Sequence, residues 1–421
     1  MWQKLLFMSV VNILLSIFLT QNIHAAGKGW WSTQGSKIID EQGEEVVITG
    51  INWGFEVYRQ DEKGWLDNST IANYKSMLLS MNKFGFNTIR FVWRDWQLEN
   101  DCVFQNINNN NPELEGLSCL EVMDEVIKYA SQLNMRIILD HHTLLASWRK
   151  SPKLTENWLK LAKRYKNNPY VIGADLDNEP HHTQVCWGCG NNSDWRLGAE
   201  RLGNEILKVN PKWLIIVEGI LGIDLEVAKQ YPIRLSNPKK LVYSTHVYPG
   251  MTYGIPFEEV ESAWDKKFGY LVNENIAPVL VGEFQLVNLG QMEWFNKLVN
   301  YMKNKRISGT VWAWRWGDPK YSDQSWYVLP PIEKNYLTIS NDQRKPIMRS
   351  WLVKLDPNPG YDPLPEESAD ANGDGRVDGE DYLVWLNNFG KNKSGPNNGD
   401  FNNDRKVDGL DYIIFVNSFG S

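Results

Sequence analysis

Val171-Ile-Gly-Ala-Asp-Leu-Asp-Asn-Glu-Pro180 opens as an apolar run, Val171 to Leu176, and closes on a glutamate set before a proline. The run does not alternate in polarity, as expected of a parallel strand covered on both faces. Seven further runs of this kind follow the same pattern: Val46 to Trp53, Asn87 to Trp93, Arg136 to His141, Leu214 to Glu218, Leu241 to His246, Pro278 to Glu283 and Thr310 to Trp314. Longer segments of helical period lie between them. Ser118 with Glu121 makes a capping box for a helix whose Leu120, Met123, Ile127 and Ala130 share one face. Trp195, Ala199, Leu202, Ile206 and Val209 mark another.

Eight strand–helix units predict an α/β protein in which parallel strands close into a (β/α)8 TIM barrel. A doubly wound open sheet is the alternative, but no Gly-rich phosphate loop follows the first run. The chain has 421 residues, more than the roughly 250 a barrel needs, which leaves room for a small second domain. A net charge of −7 has the wrong sign for tracking phosphates, and no basic stripe interleaves with aromatics, so nucleic acid is not an expected partner. The 20 Trp exceed what core packing calls for. Flat indole faces suit the apolar faces of sugar rings, and about half of these residues are expected to do packing work instead.

Met1-Trp-Gln-Lys4, the apolar run Leu5 to Leu19 and the small-residue end Ile23-His-Ala-Ala26 read as a secretory signal, cut after Ala25. The expected protein is secreted, with no membrane attachment after cleavage. An exported chain keeps disulfides, and proximity pairs Cys102 with Cys119 and Cys186 with Cys189. The expected divisions are a signal peptide at 1–25, a catalytic barrel at 28–355, a Pro-rich acidic linker at 356–367 and a small α-helical domain at 368–421.

That last segment is an internal repeat with an offset of 30 residues: Asp370, Asn372, Asp374, Arg376, Asp378, Asp381 recur as Asp400, Asn402, Asp404, Lys406, Asp408, Asp411. Oxygen side chains at the first, third, fifth, ninth and twelfth positions of a loop, with a carbonyl from the seventh, can surround calcium. Tyr382, Leu383, Trp385, Leu386 and Tyr412, Ile413, Phe415, Val416 supply the apolar face of a helix leaving each loop. The segment resembles a dockerin module, whose duplicated calcium loops end in Asp. The resemblance implies structural Ca2+ held by the Asp and Asn residues above, with carbonyls from Arg376 and Lys406, and a cohesin-like protein partner. Arg405 departs from the Gly preferred in the turn, and Gly379-Glu380 and Gly409-Leu410 depart from the Ser/Thr pairs of well-known dockerins.

Hydrolysis of a glycosidic bond needs two carboxyl groups flanking the anomeric carbon, one to protonate the leaving oxygen and one to attack or to activate water. In a barrel they belong where strands end on the C-terminal face. Glu179 and Glu283 meet this test; Glu218 also ends a run, so one carboxylate alone decides little. Gly50-Ile-Asn-Trp53, Phe86-Asn-Thr-Ile-Arg90, Ile138-Leu-Asp-His-His142, Asn178-Glu-Pro180, His246-Val-Tyr248 and Gly282-Glu-Phe284 together resemble glycoside hydrolase family 5. Cys186-Trp-Gly-Cys189 with Asp194-Trp-Arg196 is similar to its bacterial endoglucanase branch.

The resemblance implies a retaining endo-β-1,4-glucanase acting on cellulose-type polysaccharide with no cofactor for catalysis. Glu179 becomes the acid/base, with a raised pKa, and Glu283 the nucleophile. Arg90 and Tyr248 hold Glu283 ionised, Asn178 binds the 2-hydroxyl, and His142 and His246 line the same subsite. Trp314 is the expected platform beneath the reacting ring, with Trp312 or Trp316 as alternatives because Arg315 stands where the family has Asn. Trp53, Trp65, Trp93, Trp96 and Trp148 are candidates for further subsites. A retaining mechanism requires carboxyl groups about 5 Å apart. The same pair serves mannan, mixed-linkage glucan and xyloglucan hydrolases, and a non-catalytic glycan-binding barrel is the competing class.

Overall fold

The computed structural model describes residues 27–54, 73–98, 102–103, 111–142, 152–181, 185–222, 224–286, 289–314, 344–355, 369–372, 376–393, 395–401 and 406–419. The signal segment, the linker, Trp65, Trp148, Arg315 and Trp316 lie outside them. No helix among the described residues is long and apolar enough to cross a membrane.

Three short strands, β1 (Ser32–Gln34), β2 (Lys37–Ile39) and β3 (Glu45–Val46), form an antiparallel sheet ahead of the barrel. Eight parallel strands follow: β4 (Thr49–Gly54), β5 (Thr88–Trp93), β6 (Arg136–His141), β7 (Val171–Asp175), β8 (Leu214–Glu218), β9 (Leu241–Val247), β10 (Val279–Phe284) and β11 (Ser308–Val311). They pair in chain order, and β11 returns to β4, closing the barrel as expected. The first and last runs differ most from the sequence reading, the others by one residue at most at either end. Val46 leaves the first run to pair with Ile38 in the outer sheet, and the last strand begins at Ser308 and ends at Val311, before Trp312.

Every strand residue of the barrel is buried, which explains the missing alternation. At the N-terminal end, Trp31 closes the interior against Ile138, Ile172, Leu214, Ile216, Val242 and Leu280. The Arg136 guanidinium lies between the rings of Trp31 and Tyr170, 5.7 and 4.5 Å from their centroids. Outside the strands, the helix Cys119–Gln132 forms with its expected capping box and buries Leu120, Met123, Ile127 and Ala130. The helix Trp195–Val209 starts at Asp194, whose carboxylate also accepts the Gly188 and Gly190 N–H groups at 2.9 and 2.8 Å. The Cys186–Cys189 disulfide thereby folds its loop onto the helix cap, and Cys102–Cys119 forms as well.

In the C-terminal segment, helices Gly379–Asn388 and Gly409–Ser418 pack around Val377, Trp385, Phe401, Val407, Ile414 and Phe415. Asp381 and Asp411 are fully buried and close capping boxes with Asp378 and Asp408. Asp374, Asn402, Asp404 and Arg405 lie outside the described residues. Leu383, Leu386 and Val416, read as part of the packed helix faces, are half exposed, because two short helices bury only the sides they turn to each other.

Candidate active site

Inward-pointing residues at the C-terminal ends of barrel strands face one another across its mouth. The strand register sets Asn52 beside Arg90, Asp140 beside Asp175 and Glu283 beside His246. Arg90, wholly buried on β5, lies at the centre. Its Nε donates to Asp175 Oδ2 at 2.8 Å, Nη1 to Asn52 Oδ1 at 2.9 Å and Glu283 Oε1 at 3.2 Å, and Nη2 to Asn178 Oδ1 at 3.0 Å and Glu218 Oε1 at 2.8 Å. Asp140 Oδ1 is 2.9 Å from the same Nη2. A planar fork of five N–H donors is the side chain that can serve so many acceptors at once.

Glu283 is the penultimate residue of β10 and is 5% exposed; its Oε2 accepts the Tyr248 hydroxyl at 2.8 Å. Glu179 sits just beyond β7 with φ of 42°, a left-handed backbone that a glutamate before a proline adopts only when its surroundings impose it. Its N–H donates to Glu218 Oε2 at 2.7 Å, and its Oε1 lies 2.9 Å from His246 Nδ1. A carboxylate oxygen of Glu179, one of Glu283 and a ring nitrogen of His246 all lie within 4.8 Å of one another. Gly222, at φ of 65°, is required here: a Cβ would come within 2.9 Å of His246 Nδ1 and 3.0 Å of Glu179 Cγ. A second group of oxygen donors, Asp140, Asp175 and Glu218, converges within the same distance, but its cation is the Arg90 guanidinium.

The electrostatics correct one expectation. Burial pushes the Glu179 carboxyl up, but the hydrogen bond and charge of His246 outweigh it, so the group stands below its ordinary value rather than above it. Burial raises Glu283 despite the opposing pull of His246 and Arg90. The order reverses the expected one because Glu179 keeps 32% of its side chain in solvent beside a cationic ring, whereas Glu283 is enclosed. Burial by itself would lower His246; Glu218, Glu283 and Glu179 raise it well above the usual histidine range. Burial and the neighbouring Glu218 and Asp140 charges raise the Asp175 carboxyl above an ordinary carboxylate, against the pull of Arg90.

His142 stacks on Trp312, centroids 5.2 Å apart and 13° between planes, and its Nδ1 is 2.7 Å from Asp140 Oδ2. Trp312 also packs with Val92 and Tyr248. Trp314 is 2% exposed and belongs to the core between strands and helices, so Trp312 replaces it as the ring at the site. β11 ends at Val311, so Trp312 is the first residue past the strand and Trp314 no longer follows the strand alternation that the longer reading assumed. His246 is 1% exposed, its Nδ1 2.9 Å from Glu179 Oε1 and 3.6 Å from Glu283 Oε2. Trp53 and Trp93 are core residues, packed on Phe91 and on Trp158 and His141; Trp96 is half-buried.

Four site residues were given no role in the sequence reading: Asn52, Asp140, Asp175 and Glu218. A signal was present, since each interrupts or ends a strand that both barrel faces cover, where a polar group must find an internal partner. His141 belongs with them, its Nδ1 2.9 Å from Asp177 Oδ1 and its Nε2 3.4 Å from Asp95 Oδ2. Its carbonyl accepts the Asn178 N–H at 2.9 Å, so the pair anchors the segment that carries Asn178 and Glu179.

A closed parallel barrel whose mouth holds two facing carboxylates, one clamped by Arg90 and Tyr248, defines a glycoside hydrolase. Residues 39–318 match the cellulase family, glycosyl hydrolase family 5. The chain is 38% identical over 324 residues to an endoglucanase of Paenibacillus polymyxa, spanning 69% of this chain and 80% of that one. It is 32% identical to the major extracellular endoglucanase of Xanthomonas campestris pv. campestris, over 69% of this chain and 66% of the other. The hyperthermophilic endocellulase of Pyrococcus horikoshii, solved in complex with cellotetraose, superimposes with a TM-score of 0.66 at 29% identity, covering 78% of this chain and all of that one. The chain belongs to glycosyl hydrolase family 5 and is an endoglucanase-type glycoside hydrolase.

Proposed function

We propose that this protein is a secreted, retaining endo-β-1,4-glucanase that cleaves cellulose-type glucan through a covalent glycosyl-enzyme. The observation that carries the reading is the approach of Glu179 and Glu283 oxygens to within 4.8 Å, close to the roughly 5 Å spacing of retaining pairs and short of the roughly 6.5–9.5 Å that admits a water. Glu283 is the nucleophile. Arg90 and Tyr248 each donate to one of its oxygens and favour the ionised form against the burial that raises it.

Glu179 is the acid and then the base. Two carboxyls this close share one proton, and a sugar in the cleft removes the water that covers the exposed part of Glu179, moving that proton onto it. Once Glu283 is esterified its charge is gone, Glu179 again falls under the control of His246, and it accepts a proton from the attacking water. Asn178, whose Oδ1 is held by Arg90, turns its amide N–H group to the 2-hydroxyl. His142 and Trp312 form the wall on which the reacting ring rests.

The C-terminal repeat binds structural calcium and a cohesin-like partner. Support comes from the oxygen-rich donor set of both loops, the complete burial of Asp381, Asp400 and Asp411, and the exposed Leu383, Leu386, Phe389, Tyr412, Val416 and Phe419. Chelation should then unfold helices Gly379–Asn388 and Gly409–Ser418 while glucan cleavage persists; unchanged helicity after chelation would remove the calcium reading.

The deciding assay incubates the signal-free protein with carboxymethyl-cellulose, barley β-glucan and glucomannan, following reducing ends, viscosity and the anomer first released. A rapid viscosity fall on the cellulose derivative with release of the β-anomer is expected. Cleavage of mannan alone would overturn the substrate, and release of the α-anomer would overturn the double displacement.

A further inference from the structure

Glu218 ends β8 with no exposed surface, so no substrate atom can touch it, yet three members of the site converge on its carboxylate. Its Oε2 accepts the Glu179 N–H at 2.7 Å, and its Oε1 accepts Arg90 Nη2 at 2.8 Å and stands 3.3 Å from His246 Nε2. The other ring nitrogen of His246 reaches Glu179 Oε1 at 2.9 Å. Glu218 therefore meets Glu179 by a hydrogen bond at the main chain and faces it across the imidazole, whose Nε2 it approaches at ion-pair distance.

We propose that Glu218 is the positioning residue of the acid/base, fixing the strained Glu179 backbone and, through His246, the carboxyl it carries. The proposal rests on the reading of Glu179 as acid/base given above. Glu179 is held at φ of 42° in a segment without regular structure, and the Glu218 carboxylate is the acceptor that ties its N–H to the barrel wall. An imidazole between two carboxylates meets both only as the doubly protonated ring, because a neutral ring has one N–H. The groups facing that ring are Glu179 from the loop after β7, Glu218 from β8, Glu283 from β10 at 3.6 Å and Asp140 from β6, with Gly222 packed on its edge.

Removing the charge of Glu218 weakens the hold on the second proton of His246. A neutral His246 no longer stabilises ionised Glu179, so the acid keeps its proton to higher pH. The consequence is specific to steps that need Glu179. An aryl cellobioside with a dinitrophenolate leaving group departs without a proton, whereas a cello-oligosaccharide does not.

The experiment compares full-length wild type, Glu218→Gln and Glu218→Asp by kcat/KM against pH on cellotetraose and on 2,4-dinitrophenyl cellobioside, a measure confined to the first displacement. In Glu218→Gln, cellotetraose cleavage should fall by about 10²-fold, the typical contribution of general acid catalysis. The activated glycoside should lose far less, and the alkaline limb on cellotetraose should move to higher pH. Glu218→Asp, which keeps the charge one methylene further back, should leave that limb near its wild-type position and show a smaller loss with the same substrate bias. Should Glu218→Gln fail to fold, the bias in Glu218→Asp decides. Equal losses on both substrates with unmoved limbs would overturn the proposal and leave Glu218 as a packing partner of Arg90. A wild-type chain inactive on both substrates would overturn the acid/base reading itself, and the proposal with it.

Discussion

Replacing Tyr248 with Phe deletes one hydroxyl and little else. The ring keeps its place against Val92 and Trp312, while Glu283 Oε2 loses the donor 2.8 Å away. A hydrogen bond to a charged group contributes about 1.5–3 kcal/mol. Each pKa unit corresponds to about 1.4 kcal/mol, so the Glu283 carboxyl, already raised by burial, should climb by a further one to two units or so. A nucleophile must be ionised. The acidic limb of kcat/KM should therefore move up by the same amount, with a loss of roughly 10- to 150-fold on the acid side that narrows as the pH passes the new limb. The assay is kcat/KM on a soluble cello-oligosaccharide across the pH range, with thermal unfolding as the control for folding. A profile scaled down uniformly with its limbs in place would refute the argument that Tyr248 acts by holding Glu283 ionised.

Trp312→Ala should lower kcat/KM about tenfold or more by removing the ring stacked on His142, whereas Trp314→Ala should cost roughly 3–5 kcal/mol of stability as a core cavity. Denaturant titration of both variants beside their kinetics separates the two, and the opposite assignment of effects would return the platform to Trp314. Burial lowers His141, but Asp177 and Asp95 raise it to about 9. A raised histidine stabilises the fold fully below its unfolded value near 6.5 and loses that contribution as pH rises through about 9. The stability advantage of wild type over His141→Gln should thus shrink by about 3 kcal/mol between pH 6 and pH 10; an advantage constant with pH would mean that His141 is neutral in the fold.

Much of the site was legible because a barrel turns linear order into circular order. Once eight doubly covered runs are seen, the end of each run becomes a position on the mouth, and Glu179 and Glu283 fall there by their place in the chain, whereas Arg90 and Tyr248 were named through the resemblance to glycoside hydrolase family 5. Glu218 occupied such a position in plain view but carries no mark of its partners. Its meaning depends on three contacts contributed by β5, the loop after β7 and β9. Trp312 and Trp314 show the complementary difficulty: two residues of one type, one position apart on each side of Ala313, were separated only by where β11 ends. The sheet β1–β3 went unread because strands of two or three residues are too short for a period of two to register.

The sequence by itself determined the closed parallel barrel, the capped helices, the paired cysteines and the two glutamates, since each follows from periodicity, local capping, proximity along the chain or position along a strand. Tertiary structure alone decided the order of the two carboxyl pKa values, the platform Trp312 and the roles of Asn52, Asp140, Asp175 and Glu218 around Arg90. The reason is that periodicity and capping are encoded within a few residues, whereas a charge takes its value from every group within several ångströms. In a barrel mouth those groups arrive from strands tens to hundreds of residues apart.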